Sequence, residues 1–264
     1  MTAITTEGLM KARLFSFVRV EVLVLIGTSC GLLRAQPAPS EDKRPKWESS
    51  AFAGLTLTRG NSDTLLGTAN VLTGKKWGHN ELSLGADGTY GETKLPGGTN
   101  TTKNAESIHG FGQYNWLFGE RAYGLGRVDA LHDAIADVEY RVTLSLGAGY
   151  YFVKTTNTVL SGEVGPGYVF EKLGSDDNSY ATLRVGEKFT QKLSSHSRLW
   201  QSAELLPQVT DFGNYIVNAE LGVEADINTH LGLNTVLQDT YKNHPAAGRK
   251  QNDLKLIAGL KYKF

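Results

Sequence analysis

From Trp47 onward the chain alternates apolar and polar residues with a period of two, and no stretch of similar length follows the 3.6-residue period of a helix. In Tyr140–Phe152, Val142, Leu144, Leu146, Ala148, Tyr150 and Phe152 share one face, while Arg141, Thr143, Ser145, Gly147 and Gly149 share the other. Tyr215–Ile227 sets Tyr215, Val217, Ala219, Leu221, Val223, Ala225 and Ile227 against Asn218, Glu220, Gly222, Glu224 and Asp226. Glu81–Tyr90 opposes Leu82, Leu84, Ala86 and Tyr90 to Glu81, Ser83, Asp87 and Thr89. Successive side chains of a strand point to opposite faces, so each segment carries one apolar and one polar face. The pattern specifies an all-β domain over 47–264.

Twelve such segments are predicted, near 48–58, 64–76, 80–91, 104–118, 121–131, 139–153, 158–171, 179–193, 198–209, 214–227, 231–241 and 251–264. Their connections alternate in length. Tight turns such as Trp77-Gly78-His79, Gly119-Glu120 and Asn228-Thr229-His230 are expected at one end, and longer loops at 92–103, 132–138, 172–178 and 242–250 at the other. Only the turns after strands 1 and 9 are shorter than that alternation requires. A soluble sandwich has no reason to gather its short turns at one end, whereas an outer-membrane barrel does. An even strand number returns both ends of the sheet to one side, and closure pairs every backbone group within lipid. The expected fold is an antiparallel up-and-down transmembrane β-barrel of about 12 strands. Helical membrane bundles are excluded, because the longest apolar run, Val22 to Leu33, is 12 residues, against the roughly 20 that a spanning helix takes.

Residues 1–35 read as a signal peptide. Lys11, Arg13 and Arg19 form a positive region after Met10, Val22–Leu33 forms the apolar core, and Leu33-Arg34-Ala35 offers cleavage after Ala35. Translation starts at Met1 or Met10. Cys30, the single cysteine, falls inside this leader. It could instead be the lipidated cysteine of a lipoprotein leader, although Gly27 stands where such leaders carry Leu. Cleavage after Ala35 leaves no thiol for a disulfide or a metal. A Pro-rich periplasmic linker follows at 36–46, then the barrel at 47–264. The whole chain has 27 basic and 27 acidic residues, and no excess of positive charge is available for nucleic acid. Charged residues at 20 % beside 40 % apolar residues also exclude a disordered chain.

The final segment is the most specific. Asn252–Phe264 sets Leu254, Leu256, Ala258, Leu260, Tyr262 and Phe264 on one face and Asp253, Lys255, Gly259, Lys261 and Lys263 on the other, with Ile257 among the latter. An amphipathic last strand ending in aromatic residues, here Tyr262 and Phe264, is similar to the insertion signal of outer-membrane barrels and implies contact with the barrel-assembly machinery. Aromatic residues gather in two bands, which suit membrane interfaces. Trp77, Trp116, Phe118, Phe152, Phe189, Trp200 and Phe264 are expected near the short-turn end, and Tyr90, Tyr168, Phe170, Tyr180, Tyr215 and Tyr241 near the other.

If the apolar faces meet lipid, the polar faces line the interior. That assigns Glu81, Asp87, His109, Arg141, Glu163, Arg184, Lys188, Glu220 and Glu224 to the lumen, together with Gln113, Asn218, Lys255 and Lys261. Mixed signs on facing walls point to a self-neutralising network, and Phe52, Tyr151 and the long charged chains could plug the bore. The alternative is a narrow pore selecting small solutes. No GxSxG, HExxH or Walker loop occurs. Asp129, His132, Asp133 and Asp137 crowd the expected loop after strand 5, and the bland reading is a solvated acidic loop. The His residues lack ligand spacing, and Gly174–Asn178 lacks the length and terminal Glu of an EF-hand. No catalytic residue, cofactor or metal is expected.

Several short landmarks recur in a known order: Gly60-Asn61-Ser62, Trp77-Gly78-His79, Trp116-Leu117-Phe118-Gly119, Tyr140-Arg141, Gly147-Ala148-Gly149-Tyr150, Glu163-Val164-Gly165-Pro166-Gly167-Tyr168 and Asn228-Thr229-His230-Leu231-Gly232-Leu233. On these the run Trp47–Phe264 resembles family 481 of domains of unknown function, whose members carry the label salt-induced outer-membrane protein. The resemblance implies an outer-membrane barrel with no established activity and carries over no catalytic residue. Pro166 between Gly165 and Gly167 suits a β-bulge. The expectation is a monomeric barrel of a Gram-negative outer membrane, in contact with its lipid and serving envelope maintenance, osmotic response or passive passage of small solutes. The rivals are a barrel enzyme with a site on external loops, at Asp133 or His132, and a soluble periplasmic ligand-binding barrel whose apolar face, including Leu144 and Val223, turns inward.

Overall fold

The computed structural model describes residues 46–58, 63–94 and 100–264, with side chains omitted for 56–58 and 63–64. The leader, its cleavage position Ala35 and the linker up to residue 45 lie outside the described residues. Twelve strands follow one another: β1 (Trp47–Thr58), β2 (Asp63–Trp77), β3 (Asn80–Lys94), β4 (Thr101–Leu117), β5 (Ala122–Asp133), β6 (Val138–Lys154), β7 (Thr158–Leu173), β8 (Asp176–Lys192), β9 (Ser197–Gln208), β10 (Asp211–Asp226), β11 (Leu231–Lys242) and β12 (Asn252–Lys263). Each is antiparallel to its sequence neighbours, and β1 pairs with β12 to close the barrel. The closing seam runs from Ser50↔Lys263 to Gly54↔Gly259. With no free edge, the ladder leaves no row of unpaired backbone groups along the wall.

Register decides which residues share a face. Phe52 pairs Asn70, Asn70 pairs Asp87, and Asp87 pairs His109, so these four point the same way. Phe52 is buried, which makes that way inward. The apolar partners in the alternation point outward: Leu144 and Val223 are each 44 % exposed. This is opposite to what a soluble barrel with an apolar interior requires. Outward aromatics pair along or across strands at both ends. Trp116–Phe118, Tyr150–Phe152 and Tyr262–Phe264 lie at the end that holds Trp47 and Phe264, here called the terminal end, with ring centroids 5.0, 5.5 and 5.1 Å apart. Tyr168–Phe170 and Tyr215–Tyr241 lie towards the opposite, loop end at 4.8 and 5.7 Å.

Two expected members of these bands turn inward. Trp200 lies on the face of Arg198 and Glu204, where its indole covers Gly222, and the Tyr180 hydroxyl donates to Glu171 inside the barrel. The length alternation of the connections is also weaker than the sequence suggests. Residues 172–178 are not a loop: β7 and β8 run on through Glu171↔Asn178 and Leu173↔Asp176, leaving only Gly174 and Ser175, with Gly174 at φ +57°. Polar residues beyond the apolar stretch still pair, because the backbone ladder does not depend on side-chain polarity. Of the expected loops, 92–94 and 101–103 belong to β3 and β4, 132–138 shortens to 134–137, and 243–251 is the long connection among the described residues. Asp129 sits within β5, and the strand runs on through His132 and Asp133 of the expected 132–138 loop. Pro166 makes no bulge: pairing of β6 with β7 holds one register from Ser145↔Gly167 to Ala148↔Val164 and omits the positions between.

Closure depends on close backbone contact at the seam. A Cβ on Gly259 would stand 2.2 Å from the Ala53 carbonyl oxygen, whereas one on Gly67 would meet nothing nearer than 3.9 Å. Gly259→Ala is therefore expected to cost about 1–3 kcal/mol and to reduce the compact band of unboiled protein in detergent electrophoresis. Gly67→Ala should leave both stability and that band unchanged.

Candidate functional site

The interior holds buried charge arranged around single carboxylates. Glu163, 3 % exposed, accepts from Arg184 Nη1 at 2.8 Å, Gln113 Nε2 at 2.8 Å, Tyr123 Oη at 3.0 Å and Lys188 Nζ at 3.3 Å. Four strands, β4, β5, β7 and β8, meet at this one group. Arg184 also donates Nε to Glu204 of β9 at 2.5 Å. Glu224 gathers Arg198, Lys261 and Lys263 at 2.7, 2.8 and 2.7 Å, tying β9, β10 and β12 together beside the closing seam. Glu81 accepts from Tyr151 Oη at 2.8 Å and Asn115 Nδ2 at 3.3 Å. Removing either partner of such a pair strands the other charge in a poorly solvated space, which explains why each carboxylate has several donors.

Rings fill the space beside these groups. Tyr123, Leu125 and Tyr151 form a buried cluster, and Tyr123 lies flat over Gly149, where a Cβ would stand 2.2 Å from the ring. Phe111 covers Gly85 in the same manner and carries the Arg127 guanidinium 4.4 Å from its centroid, a cation–π geometry. Arg127 donates to both oxygens of Asp129, and His109 bridges Asp129 and Asp87 at 3.4 and 2.9 Å.

At the loop end the bore is spanned. Lys242 of β11 places Nζ 2.7 Å from both oxygens of Glu171 on β7, although β8, β9 and β10 separate those strands around the wall. Arg141 Nε donates to the same carboxylate at 2.7 Å. Just beyond Lys242 the 243–251 connection folds over the mouth. Ala246 is buried, Asn243 N donates to the Tyr215 carbonyl, and Arg249 lies 4.0 Å from Asp137 of the β5–β6 turn. Between this strap and the terminal-end clusters lies a cavity of about 640 Å³, bordered by Asp87, His109, Lys188, Trp200, Glu220 and Lys255 among others.

All nine residues assigned to the lumen from sequence lie on inward faces. Glu81, Arg141, Glu163, Arg184 and Glu224 are buried in ion pairs or hydrogen bonds, while Asp87, His109, Lys188 and Glu220 border the cavity. Sequence reading missed Glu171 and Lys242, because the predicted strands ended at 171 and 241, so the pair was not read as a pair within the ladder. The alternation itself would have placed both inside. At the other expected location, Asp129, His132 and Asp133 do not converge. His132 is exposed and bonds the Glu139 carbonyl, Asp133 caps the turn by accepting from Ile135 N and Ala136 N, and Asp129 is paired inside with Arg127. Tyr262 and Phe264 are exposed on the outer face of the seam.

Residues 51–264 match the model of the family described as protein of unknown function, DUF481. The chain belongs to that family. No curated protein matches it in sequence. Among solved structures it is similar to the NanC porin at 7 % identity and TM-score 0.50, covering 82 % of this chain and 100 % of that one. It is also similar to an outer membrane channel from Pseudomonas putida F1 (10 % identity, TM-score 0.49, 88 % and 100 % covered) and to the translocator domain of the autotransporter NalP from Neisseria meningitidis (19 %, 0.41, 83 % and 87 %). With its closed wall and exposed apolar surface, this DUF481 member is an outer-membrane β-barrel.

The buried network sets the stability of that barrel. Glu163→Ala should destabilise it by about 3–5 kcal/mol, since Arg184 and Lys188 lose their shared partner. Lys103→Ala, which breaks the exposed Lys103–Glu106 pair, should cost about 0–1 kcal/mol. Urea unfolding in lipid vesicles, followed by tryptophan fluorescence, measures both.

Proposed function

We propose that this barrel is a non-enzymatic conduit for small polar solutes, held nearly shut at its loop end. The observation that carries the reading is the pairing of a polar cavity of about 640 Å³ with a cross-bore bridge, Lys242–Glu171–Arg141. An eight-stranded barrel fills with side chains and barrels of sixteen or more strands leave open channels, so twelve strands fall between. The bordering charges are mixed, which favours weak discrimination between ions over a strongly selective filter. The absence of convergence among Asp129, His132 and Asp133 supports a passive role.

In this reading the terminal end faces the periplasm, the protein works as a monomer, and the β12 strand with Tyr262 and Phe264 engages the barrel-assembly machinery during insertion. The family label of salt induction fits a conduit that relieves osmotic imbalance across the envelope. Synthesis from a leader cleaved after Ala35 completes the proposal.

Planar-bilayer recording of the purified barrel tests it. The unaltered protein should give small, infrequent openings, and Lys242→Ala should raise the open fraction several-fold, with Glu171→Gln acting in the same direction. A barrel that stays silent in all three forms, while folded by electrophoretic compactness, would overturn the conduit reading in favour of a plugged envelope scaffold.

A further inference from the structure

The wall has a defined weak point where proline enters it. Pro207 of β9 has no N–H to contribute to the ladder. Pairing of β8 with β9 holds at Thr182↔Gln208 and resumes in the same register at Val185↔Leu205, leaving Leu183 and Arg184 unbridged opposite Pro207 and Leu206. Pro166 interrupts the β6–β7 ladder in the same way, and it pairs with Leu183. The β7–β8 hairpin is thus flanked on both sides, at one height, by a break in its backbone bonding.

On the outer surface the β8–β9 break opens into a groove of about 500 Å³ lined by Leu183, Val185, Leu205, Pro207, Phe212 and Tyr215. Pro207 is buried at its floor. A shift of the β9–β10 register between Asp211 and Tyr215 takes Phe212 out of the ladder, and the ring forms the rim. Behind the break, on the inner surface, Arg184 joins β7, β8 and β9 through Glu163 and Glu204. The inner ion pairs hold together what the ladder there does not.

We propose that this groove is a binding site for one acyl chain of a membrane lipid, seated in the wall between β8 and β9. The groove is continuous with the apolar surface that already meets lipid. Apart from the Tyr215 hydroxyl its lining is apolar, so hydrocarbon is the chemistry it can accept without stranding a polar group. It lies next to Tyr215 in the loop-end aromatic band, where a headgroup would rest while its chain runs into the groove. The proposal rests on the outer-membrane barrel and not on conduction through the lumen.

Spin-labelled stearic acid tests it, using the full barrel in phosphatidylcholine vesicles and reading the motionally restricted spectral component. A saturable restricted component of one label per barrel is expected. It should be lost when the groove is filled by Val185→Trp or Leu205→Trp, weakened by Leu183→Ala, and kept in Leu144→Trp and Val223→Trp, which add the same bulk elsewhere on the wall. Folding of each variant is checked by electrophoretic compactness, and Leu183→Ala decides the matter should the larger substitutions not fold. A restricted component that grows linearly with label, or that falls equally in the wall controls, would show ordinary boundary lipid and overturn the site.

Discussion

A peptide group in hydrocarbon has no water to bond, and each unpaired one costs several kcal/mol. That constraint organises the molecule. It requires the β1–β12 pairing, and hence the close approach of Gly259 to Ala53 that a Cβ would crowd. It also sends most charged side chains of the wall to the inside, since the outside is lipid, with Glu187 left on the outer face bonded to Gln201. The interior then has to accommodate charge in a narrow space, and the clusters around Glu163, Glu171 and Glu224 are the result.

Those clusters are not spread evenly. Glu163 and Glu81, with the rings of Tyr123 and Tyr151, fill one side of the bore across β3 to β8. Glu224 with Arg198, Lys261 and Lys263 braces the seam, and Glu171 with Lys242 and Arg141 crosses the loop end. The space left over is bordered by Trp200, Glu220 and Lys255 on one wall and Asp87 and His109 on another. A barrel with twelve strands is wide enough for both a packed network and a chamber. The proposed conduit builds on that coexistence, with the Lys242–Glu171–Arg141 bridge set across the bore at one end.

Ion pairs and backbone bonds also substitute for each other locally. Where Pro207 and Pro166 interrupt the ladder, Arg184 spans three strands from the inside. Such a buried arginine with two carboxylates keeps strands in place without backbone bonding. The outer side of the same stretch is left with an apolar groove instead of a flat wall. One device thus explains both an inner cluster and an outer cavity.

The period-two alternation alone determined the twelve strands, the outward apolar face and the inward set from Glu81 to Glu224, because face is a local property of an extended backbone. The amphipathic last strand and the family landmarks were equally legible. Strand ends were not: pairing of Glu171 with Asn178 and of Leu173 with Asp176 lengthens β7 and β8 beyond their apolar stretch, and nothing in a polar run says whether it pairs. Trp200 and Tyr180 turned inward because register, not residue type, assigns a face. The Lys242–Glu171 bridge, the Arg184 clamp and the groove over Pro207 join residues from strands that are not neighbours in the chain or lie across a break in the ladder. Only the closed tertiary structure decides these, since curvature of the wall sets which side chains meet across the bore.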